Sequence, residues 1–279
     1  MDNRSGEAPQ KVNEKRDMRL KEDMMAKIVA VANQKGGVGK TTTTVNLSAC
    51  VAQRGKRVLV VDLDPQGNST SGLGVQKEDL AHSSYDILIN HVDVDQSVQP
   101  TQVQFLDIVG ANIELAGAEV ELVGMLAREQ VLKNALSAIR EKYDYVFIDC
   151  PPSLGLLTIN ALTAADTLLV PIQCEYYALE GLSQLMNTVK LVRMHLNPAL
   201  DVEGVVLTMF DARTNLSSQV VAEVKKFFKN KVYDTIIPRS IRLGEAPSYG
   251  LPITLYDPKC NGATAYVQLA EELLKKEGV

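Results

Sequence analysis

The sequence predicts an α/β protein with a doubly wound, mostly parallel sheet and helices on both of its faces. Short apolar runs alternate with longer amphipathic stretches along most of the 279 residues. The runs consist almost entirely of Val, Ile and Leu, which is typical of parallel strands buried on both faces. A glycine-rich turn joins the first run to the first helix-like stretch, and such turns bind phosphate in nucleotide-binding proteins.

The apolar runs and amphipathic stretches define the expected elements in chain order. We expect strands at 27–33, 57–63, 105–109, 144–149, 167–172, 203–209 and 234–237. We expect helices at 40–53, 119–142, 155–164, 178–196, 215–230 and 262–276. Because strands and helices alternate over this whole length, we predict one domain from residue 27 to residue 279.

The last predicted helix carries an apolar stripe along one face. Such a stripe can bind a membrane surface, but it more often packs on a sheet, and only Lys275 and Lys276 follow it. We therefore expect packing. The stripe consists of Tyr266, Leu269, Ala270, Leu273 and Leu274.

Residues 1–26 are predicted to form a mobile arm before this domain. They carry six Lys/Arg and six Asp/Glu and no apolar core, so they cannot bury enough apolar surface to offset the entropy of ordering. A helix could begin at Val12, and the arm either contacts a partner or has no role. Without a signal-peptide core or a membrane-spanning run, we expect a cytoplasmic protein.

The overall composition excludes several classes of function. A net charge of −5 argues, taken alone, against a nucleic-acid partner. The cysteines are scattered without a Cys-x-x-Cys pair, which favours reduced buried thiols over disulfides or a metal site. The three histidines form no cluster with metal-ligand spacing, and no Gly-x-Ser-x-Gly pattern supports a serine hydrolase. The cysteines are Cys50, Cys150, Cys174 and Cys260.

The glycine-rich turn contains the strongest signal for chemistry. Its glycines allow backbone N–H groups to approach phosphate oxygens without an intervening Cβ. Lys40 is expected to reach the β- and γ-phosphates, and the Thr41 hydroxyl is expected to bind Mg²⁺. Gln34 stands where the usual pattern has glycine, and an additional lysine, Lys35, predicts a second cation that neutralises charge or acts on another subunit. The turn reads Lys35-Gly36-Gly37-Val38-Gly39-Lys40-Thr41-Thr42.

Carboxylates end two of the predicted strands. Asp62 and Asp64 close the second strand, and Asp149 closes the strand 144–149. The carboxyl ends of parallel strands face the ligand crevice, so these groups are expected beside the phosphates. We predict that Asp64 orients the attacking water, that Asp62 supports it or holds a Mg²⁺-bound water, and that Asp149 positions Mg²⁺. The Pro151-Pro152 pair stops the strand, and Ser153 and Leu154 are candidates for a switch.

A basic stretch stands out in the second half of the chain. Between residues 213 and 242 there are seven Lys/Arg and only two Asp/Glu. Such a stretch is usually a solvated surface, but its flanking loops add further arginines and fit contact with a phosphate backbone. We list as DNA-binding candidates Arg213, Lys225, Lys226, Lys229, Arg239 and Arg242.

These motifs together resemble a known family. The residues from Gln34 to Thr42 resemble the deviant Walker A motif of the ParA/MinD ATPases, and those from Phe147 to Pro152 resemble their Walker B motif. The residues from Val61 to Asn68, from Leu207 to Thr214 and from Ile237 to Ser248 resemble the ParA/Soj branch. The resemblance runs from about Lys27 to Lys276.

The resemblance implies an ATP-driven cycle with ATP and Mg²⁺ as ligands. Two subunits would pair across their nucleotides, with Lys35 reaching into the partner subunit's nucleotide. The dimer would bind DNA without sequence preference, with Arg213 on the DNA-contacting surface. A ParB-type centromere-binding protein would stimulate hydrolysis and release monomers, so the protein would be associated with the nucleoid. By the same resemblance, Asp211 and Pro238 would flank the adenine.

Several other members of the wider family stay open as alternatives. A MinD-like regulator would bind a membrane, although we expect no membrane partner here. An ATPase that positions a protein cargo would show the same motifs. A nitrogenase iron protein needs paired cluster cysteines, which we do not find. A metabolic P-loop synthetase would need a substrate site that the sequence does not reveal.

Overall fold

Eight strands form one sheet in the described part of the chain, and seven of them run parallel. The computed structural model describes residues 25–175 and 181–276. The strand order is β3-β4-β2-β5-β1-β6-β7-β8, and only β3 is antiparallel to its neighbour. The strands are β1 (Lys27–Val31), β2 (Val58–Asp62), β3 (Val98–Pro100), β4 (Leu106–Val109), β5 (Tyr145–Asp149), β6 (Thr167–Gln173), β7 (Asp201–Phe210) and β8 (Val232–Pro238).

Helices cover both faces of this sheet, so the predicted doubly wound α/β fold is confirmed. Each face has its own apolar core, because the side chains of successive strand residues point to opposite faces. The helices are α1 (Lys40–Ala52), α2 (Asn68–Gly72), α3 (Ser84–Ile89), α4 (Val94–Ser97), α5 (Leu115–Glu121), α6 (Val131–Ser137), α7 (Leu156–Ala164), α8 (Leu182–His195), α9 (Asn215–Phe228), α10 (Ile241–Glu245), α11 (Ile253–Tyr256) and α12 (Asn261–Lys276).

The continuous helix predicted at 119–142 is wrong. Two short helices, α5 and α6, stand in its place, and the chain between them passes through a left-handed residue, Ala127. Asn160 of α7 holds this break, because its side chain accepts from the Leu132 N–H (3.2 Å) and donates to the Arg128 carbonyl (2.8 Å). A contact made by a distant helix thus overrides the local helix pattern.

The apolar stripe of the last helix packs as expected. Its five predicted residues are all buried in the core that α12 shares with α1 and β8. The Tyr266 hydroxyl also forms a hydrogen bond with the Thr43 hydroxyl of α1 (3.2 Å). None of the helices in the described ranges has the length and hydrophobicity that a membrane span requires.

The start of the fold lies slightly before the predicted boundary. Ala26 is buried and donates its N–H to the Arg140 carbonyl (2.7 Å), so it belongs to the packed structure. Residues 1–24 of the predicted arm lie outside the described residues. The short elements α2, α3, α4 and β3 were absent from the sequence prediction, because none of them is long enough to show a period.

Candidate nucleotide site

The phosphate-binding loop lies at the carboxyl edge of the sheet, between β1 and α1. β1 pairs with β5 on one side and with β6 on the other, and β2 pairs with β5. The loop and the carboxyl ends of β2 and β5 are therefore neighbours, although they come from distant parts of the sequence. Open parallel sheets bind ligands at this edge.

The conformation of the loop requires its glycines. Gly37 and Gly39 have φ angles of 72° and 88°, in the left-handed region that favours glycine. Thr208 donates its hydroxyl to the Val38 carbonyl (2.8 Å), and Asn33 accepts from the Lys35 N–H (3.1 Å). The loop is thus held by Thr208 of β7 and by Asn33, which precedes the loop.

Lys40 is buried at the start of α1 and lies against its own loop. Its ammonium donates to the Lys35 carbonyl (3.2 Å), so it closes the loop into a ring around the expected phosphate position. Burial lowers the pKa of Lys40, and the nearby negative charge of Asp149 opposes this shift. Among the described residues no carboxylate lies at ion-pair distance from this buried ammonium, which fits an anion that arrives as a ligand.

Asp149 is buried at the end of β5 and is held by hydroxyl groups. Ser69 donates to one of its oxygens (2.7 Å), and Thr44 of α1 donates to the other (3.4 Å). Burial raises the pKa of Asp149 to about 6, while hydrogen bonds from Ser69 and Thr41 lower it. Sequence reasoning did not identify Ser69 or Thr44, whose only signal was proximity to the two motifs.

The two carboxylates at the end of β2 have different surroundings. Asp62 lies opposite Asp149 in the sheet and accepts from the Thr70 N–H (2.9 Å), the Thr70 hydroxyl (2.8 Å) and the Asp64 N–H (3.1 Å). Burial, together with the charge of Asp149, raises the pKa of Asp62 to about 7. Asp64 accepts from the Gln66 N–H (2.9 Å) at one oxygen. Asp64 is therefore the less constrained of the two.

The residues predicted to hold Mg²⁺ meet at one point. The Thr41 side chain lies close enough to Asp149 to lower its pKa, and Asp149 pairs with Asp62 across the sheet. The described residues contain no cluster of three or more His, Cys, Asp or Glu that could hold a metal by itself. This donor set fits Mg²⁺, which usually takes few protein ligands and completes its shell with waters and phosphate oxygens.

A cavity adjoins the loop on the side of β7 and β8. It has a volume of about 200 Å³, and Pro238 lies in its wall. Asp211 is absent from that wall. The sequence analysis did not place Met209 or Tyr266 at this cavity. Both residues reach it because β7, β8 and α12 are adjacent, and Met209 has a φ of 53°. The wall consists of Gly39, Thr42, Thr208, Met209, Ile237, Pro238, Arg239, Ser240, Leu243 and Tyr266.

The arginines of the predicted DNA-binding set are paired with carboxylates of the same chain. Asp211 accepts from Arg213 Nε (2.9 Å) and from its terminal nitrogen (2.6 Å), yet the Arg213 side chain remains 86% exposed. Arg239 pairs with Glu175 (2.7 Å).

Arg242 and the three lysines of the set differ in their partners. Arg242 pairs with Glu245 (2.9 Å) and lies 3.4 Å from Asp257. Lys225, Lys226 and Lys229, at the end of α9, are exposed and make no ion pair within the described ranges.

The cysteines are free thiols, as the sequence analysis expected. Cys50, Cys150 and Cys174 are buried, whereas Cys260 is half-buried. Burial raises the pKa of Cys50 to about 12 and that of Cys174 to about 11. These thiols are therefore protonated near neutral pH and unsuited to nucleophilic chemistry.

The fold and the loop define a P-loop nucleotide-binding protein with a second lysine in the loop. A family profile described as an AAA domain matches residues 26–202. The chain is 63% identical to the sporulation initiation inhibitor protein Soj of Bacillus subtilis, over 89% of this chain and 98% of that protein. It is 51% identical to the chromosome partitioning protein ParA of Myxococcus xanthus, over 91% and 89%.

A solved structure shows the same fold with a nucleotide bound. Cobyrinic acid a,c-diamide synthase from Mycobacterium smegmatis, with bound ADP and magnesium, superposes with a TM-score of 0.81. It is 39% identical in sequence and covers 91% of this chain and 97% of its own. From these relatives and its motifs, the chain belongs to the ParA/Soj family of P-loop ATPases.

Proposed function

We propose that this protein is a Mg²⁺-dependent ATPase that segregates chromosomes or plasmids together with a ParB-type partner. The observation that carries the proposal is the buried Lys40, which closes the glycine-rich loop beside the carboxylates at the ends of β2 and β5. Its relatives named Soj and ParA, which match over almost their whole length, support partition as the biological role.

Each residue at this edge has a proposed part in hydrolysis. The amides of Gly36 to Thr42 and the ammonium of Lys40 would bind the phosphates and stabilise the charge that develops on them. Asp64, with a less constrained carboxylate, would orient the attacking water. Pro238 would lie beside the base, since it lines the adjoining cavity, and Asp211 would have at most an indirect role there.

Magnesium would be held by the Thr41 hydroxyl and, directly or through water, by Asp149. Asp62 would contribute through a metal-bound water, because its oxygens already accept three hydrogen bonds from Thr70 and Asp64. When bound, the ion would neutralise charge on the phosphate oxygens. The hydroxyls of Ser69 and Thr44 would keep the Asp149 carboxylate in place.

Dimerisation would connect the nucleotide to DNA binding. Lys35 would reach the nucleotide of the partner subunit, so that the dimer forms only with ATP. We call the six residues of the predicted DNA-binding set the basic surface. Only three of them, Lys225, Lys226 and Lys229, make no ion pair within the described ranges, so the basic surface of a single subunit would bind DNA weakly. Two such surfaces release twice as many counterions, and affinity grows exponentially with that number. Hydrolysis, stimulated by the ParB-type partner, would return the protein to weakly binding monomers near the nucleoid.

A comparison of DNA binding with ATP, with ADP and without nucleotide tests the proposal. We expect strong binding only with ATP and Mg²⁺, and loss of that binding as salt is raised. Equal binding in the three states would contradict it. Co-sedimentation with liposomes in place of DNA would instead support a MinD-like membrane regulator. An ATPase that positions a protein cargo would bind DNA in the same way but lack a ParB-like gene nearby.

A further inference from the structure

The turn that follows β2 fixes the carboxylate of Asp64 through its backbone. The Gln66 N–H donates to Asp64 Oδ1 (2.9 Å), and the Gly67 N–H donates to the Asp64 carbonyl (2.8 Å). A carboxylate that accepts from a backbone N–H moves with that N–H. The orientation of Asp64 therefore depends on where the turn holds Gln66.

The side chain of Lys77 holds Gln66 from the opposite side. Lys77 begins a short 3₁₀ helix, Lys77–Asp79, and its ammonium donates to the Gln66 carbonyl. The N–H of Gln66 thus binds Asp64, while its carbonyl binds Lys77. Hydrogen bonds from charged donors are stronger than those between neutral groups. Within the described ranges Lys77 forms no ion pair that would compete with this bond.

The aliphatic stem of Lys77 also packs on the turn. A Cβ at Gly67 would lie 2.8 Å from Lys77 Cε and 2.5 Å from the Ala111 carbonyl oxygen, and Gly67 has a φ of 58°. Only glycine fits there, because the backbone is left-handed and both sides are occupied. Ala111 is fixed by its own N–H, which donates to the Thr70 hydroxyl (2.9 Å). The turn therefore lies between a backbone wall at Ala111 and the side chain of Lys77.

Asp64 depends on this turn more than the other two strand-end carboxylates do. Asp62 accepts three hydrogen bonds, and Asp149 accepts from the hydroxyls of Ser69 and Thr44. In the described part of the chain, the carboxylate of Asp64 accepts from the Gln66 N–H alone. Release of Gln66 would therefore reorient Asp64 and leave the other two carboxylates in place.

We propose that Lys77 is a positioning residue for ATP hydrolysis. By holding Gln66, it keeps the Asp64 carboxylate in the orientation that directs the attacking water. This role rests on the proposed function, in which Asp64 orients that water. Lys77 acts through the turn and not on the nucleotide, so its loss lowers turnover while ATP affinity and ATP-dependent dimerisation are retained.

Steady-state phosphate release by the full-length protein tests this role. Lys77→Met keeps an unbranched stem over Gly67 but loses the ammonium. We expect kcat to fall about tenfold and KM to stay within about twofold, because a misplaced catalytic group lowers the rate without weakening binding. Lys77→Arg, which keeps a charged donor, should restore most of the rate. The control Lys133→Met, at an exposed lysine of α6, should turn over like the wild type.

A double-mutant cycle with Asp64→Ala tests whether Lys77 acts through Asp64. If it does, Lys77→Met should slow the Asp64→Ala variant no further, since residues that act as one unit are not additive. A further loss by the full factor of the single variant would show that Lys77 acts independently. The proposal would also be wrong if Lys77→Met had the wild-type kcat, or if it raised KM and left kcat unchanged.

Hydrogen exchange without nucleotide tests the hold on the turn by itself. We expect faster amide exchange at Gln66 and Gly67 in Lys77→Met than in the wild type, and equal exchange in α6. Unchanged exchange at the turn in a wild type that hydrolyses ATP would contradict the role of Lys77 alone. A wild type that hydrolyses no ATP would instead contradict the proposed ATPase function and, with it, the catalytic consequence of the hold.

Discussion

The phosphate-binding edge and the basic surface differ in how their charged residues are exposed to solvent. At the edge, Lys40, Asp62 and Asp149 are buried, and each is held by neighbours that fix its position. On the basic surface the charges are exposed, and Arg213 already pairs with Asp211 of the same chain. Because the charges at the phosphate-binding edge are buried, replacing one residue there should have a large effect. On the basic surface, solvent and ion pairs within the chain weaken each charge, so DNA binding should depend on several residues together.

Removing Lys40 should have the largest effect. Lys40→Ala deletes the ammonium that closes the phosphate loop, and the loss of one preorganised donor of this kind typically costs about a hundredfold or more in turnover. We expect ATP hydrolysis to fall by at least that factor, measured as phosphate release. The control Lys133→Ala, at an exposed lysine of α6, should leave the rate unchanged. Turnover of the Lys40 variant at the wild-type rate would remove Lys40 from the site.

Removing Lys35 should separate dimerisation from nucleotide binding. Lys35 is only partly buried, and its proposed target lies on the other subunit. We expect Lys35→Ala to bind ATP within a few fold of the wild type but to run as a monomer on gel filtration with ATP and Mg²⁺. An ATP-dependent dimer in this variant would show that the lysine acts only within its own subunit.

The lysines of α9 should contribute more to DNA binding than any single arginine. Replacing Lys225, Lys226 and Lys229 with alanine removes three exposed charges without ion pairs in the described ranges. Each lost phosphate contact reduces the slope of log affinity against log salt by about 0.9. We expect a lower slope and unchanged nucleotide binding, measured by DNA retention over a salt series. An unchanged slope would mean that DNA binds elsewhere.

Changes at the Arg213 pair should be smaller and of opposite sign. Arg213→Ala should weaken DNA binding, whereas Asp211→Asn should strengthen it, because the arginine is then released from its partner. Hydrogen bonds from Arg213 hold the pKa of Asp211 well below its usual range, so acidification to about pH 5 should leave the pair intact. Weaker DNA binding by Asp211→Asn would show that the pair positions Arg213 and does not sequester it.

The parts of the fold set by local pattern were predictable, and those set by distant contacts were not. The Val/Ile/Leu runs predicted the central strands, since burial on both faces selects those residues. The helix at 119–142 failed because Asn160, on another helix, holds the backbone of the break.

The same distinction applies to the candidate site. The loop residues and the strand-end carboxylates were identifiable because their spacing is fixed by the chemistry they are suited to. The hydroxyls of Ser69 and Thr44 were not, because Ser69 reaches Asp149 through the pairing of β2 with β5, and Thr44 through the pairing of β1 with β5. The pairing of Arg239 with Glu175 was likewise hidden, since the two residues are far apart in the sequence.

DNA retention by the purified protein with ATP, with ADP and without nucleotide tests most directly whether the triphosphate controls the basic surface. With ATP and Mg²⁺ we expect retention that disappears on mutation of Lys35, and with ADP or no nucleotide we expect little retention at the same salt concentration. Equal retention in the three states, or retention by a protein that remains monomeric with ATP, would contradict this control.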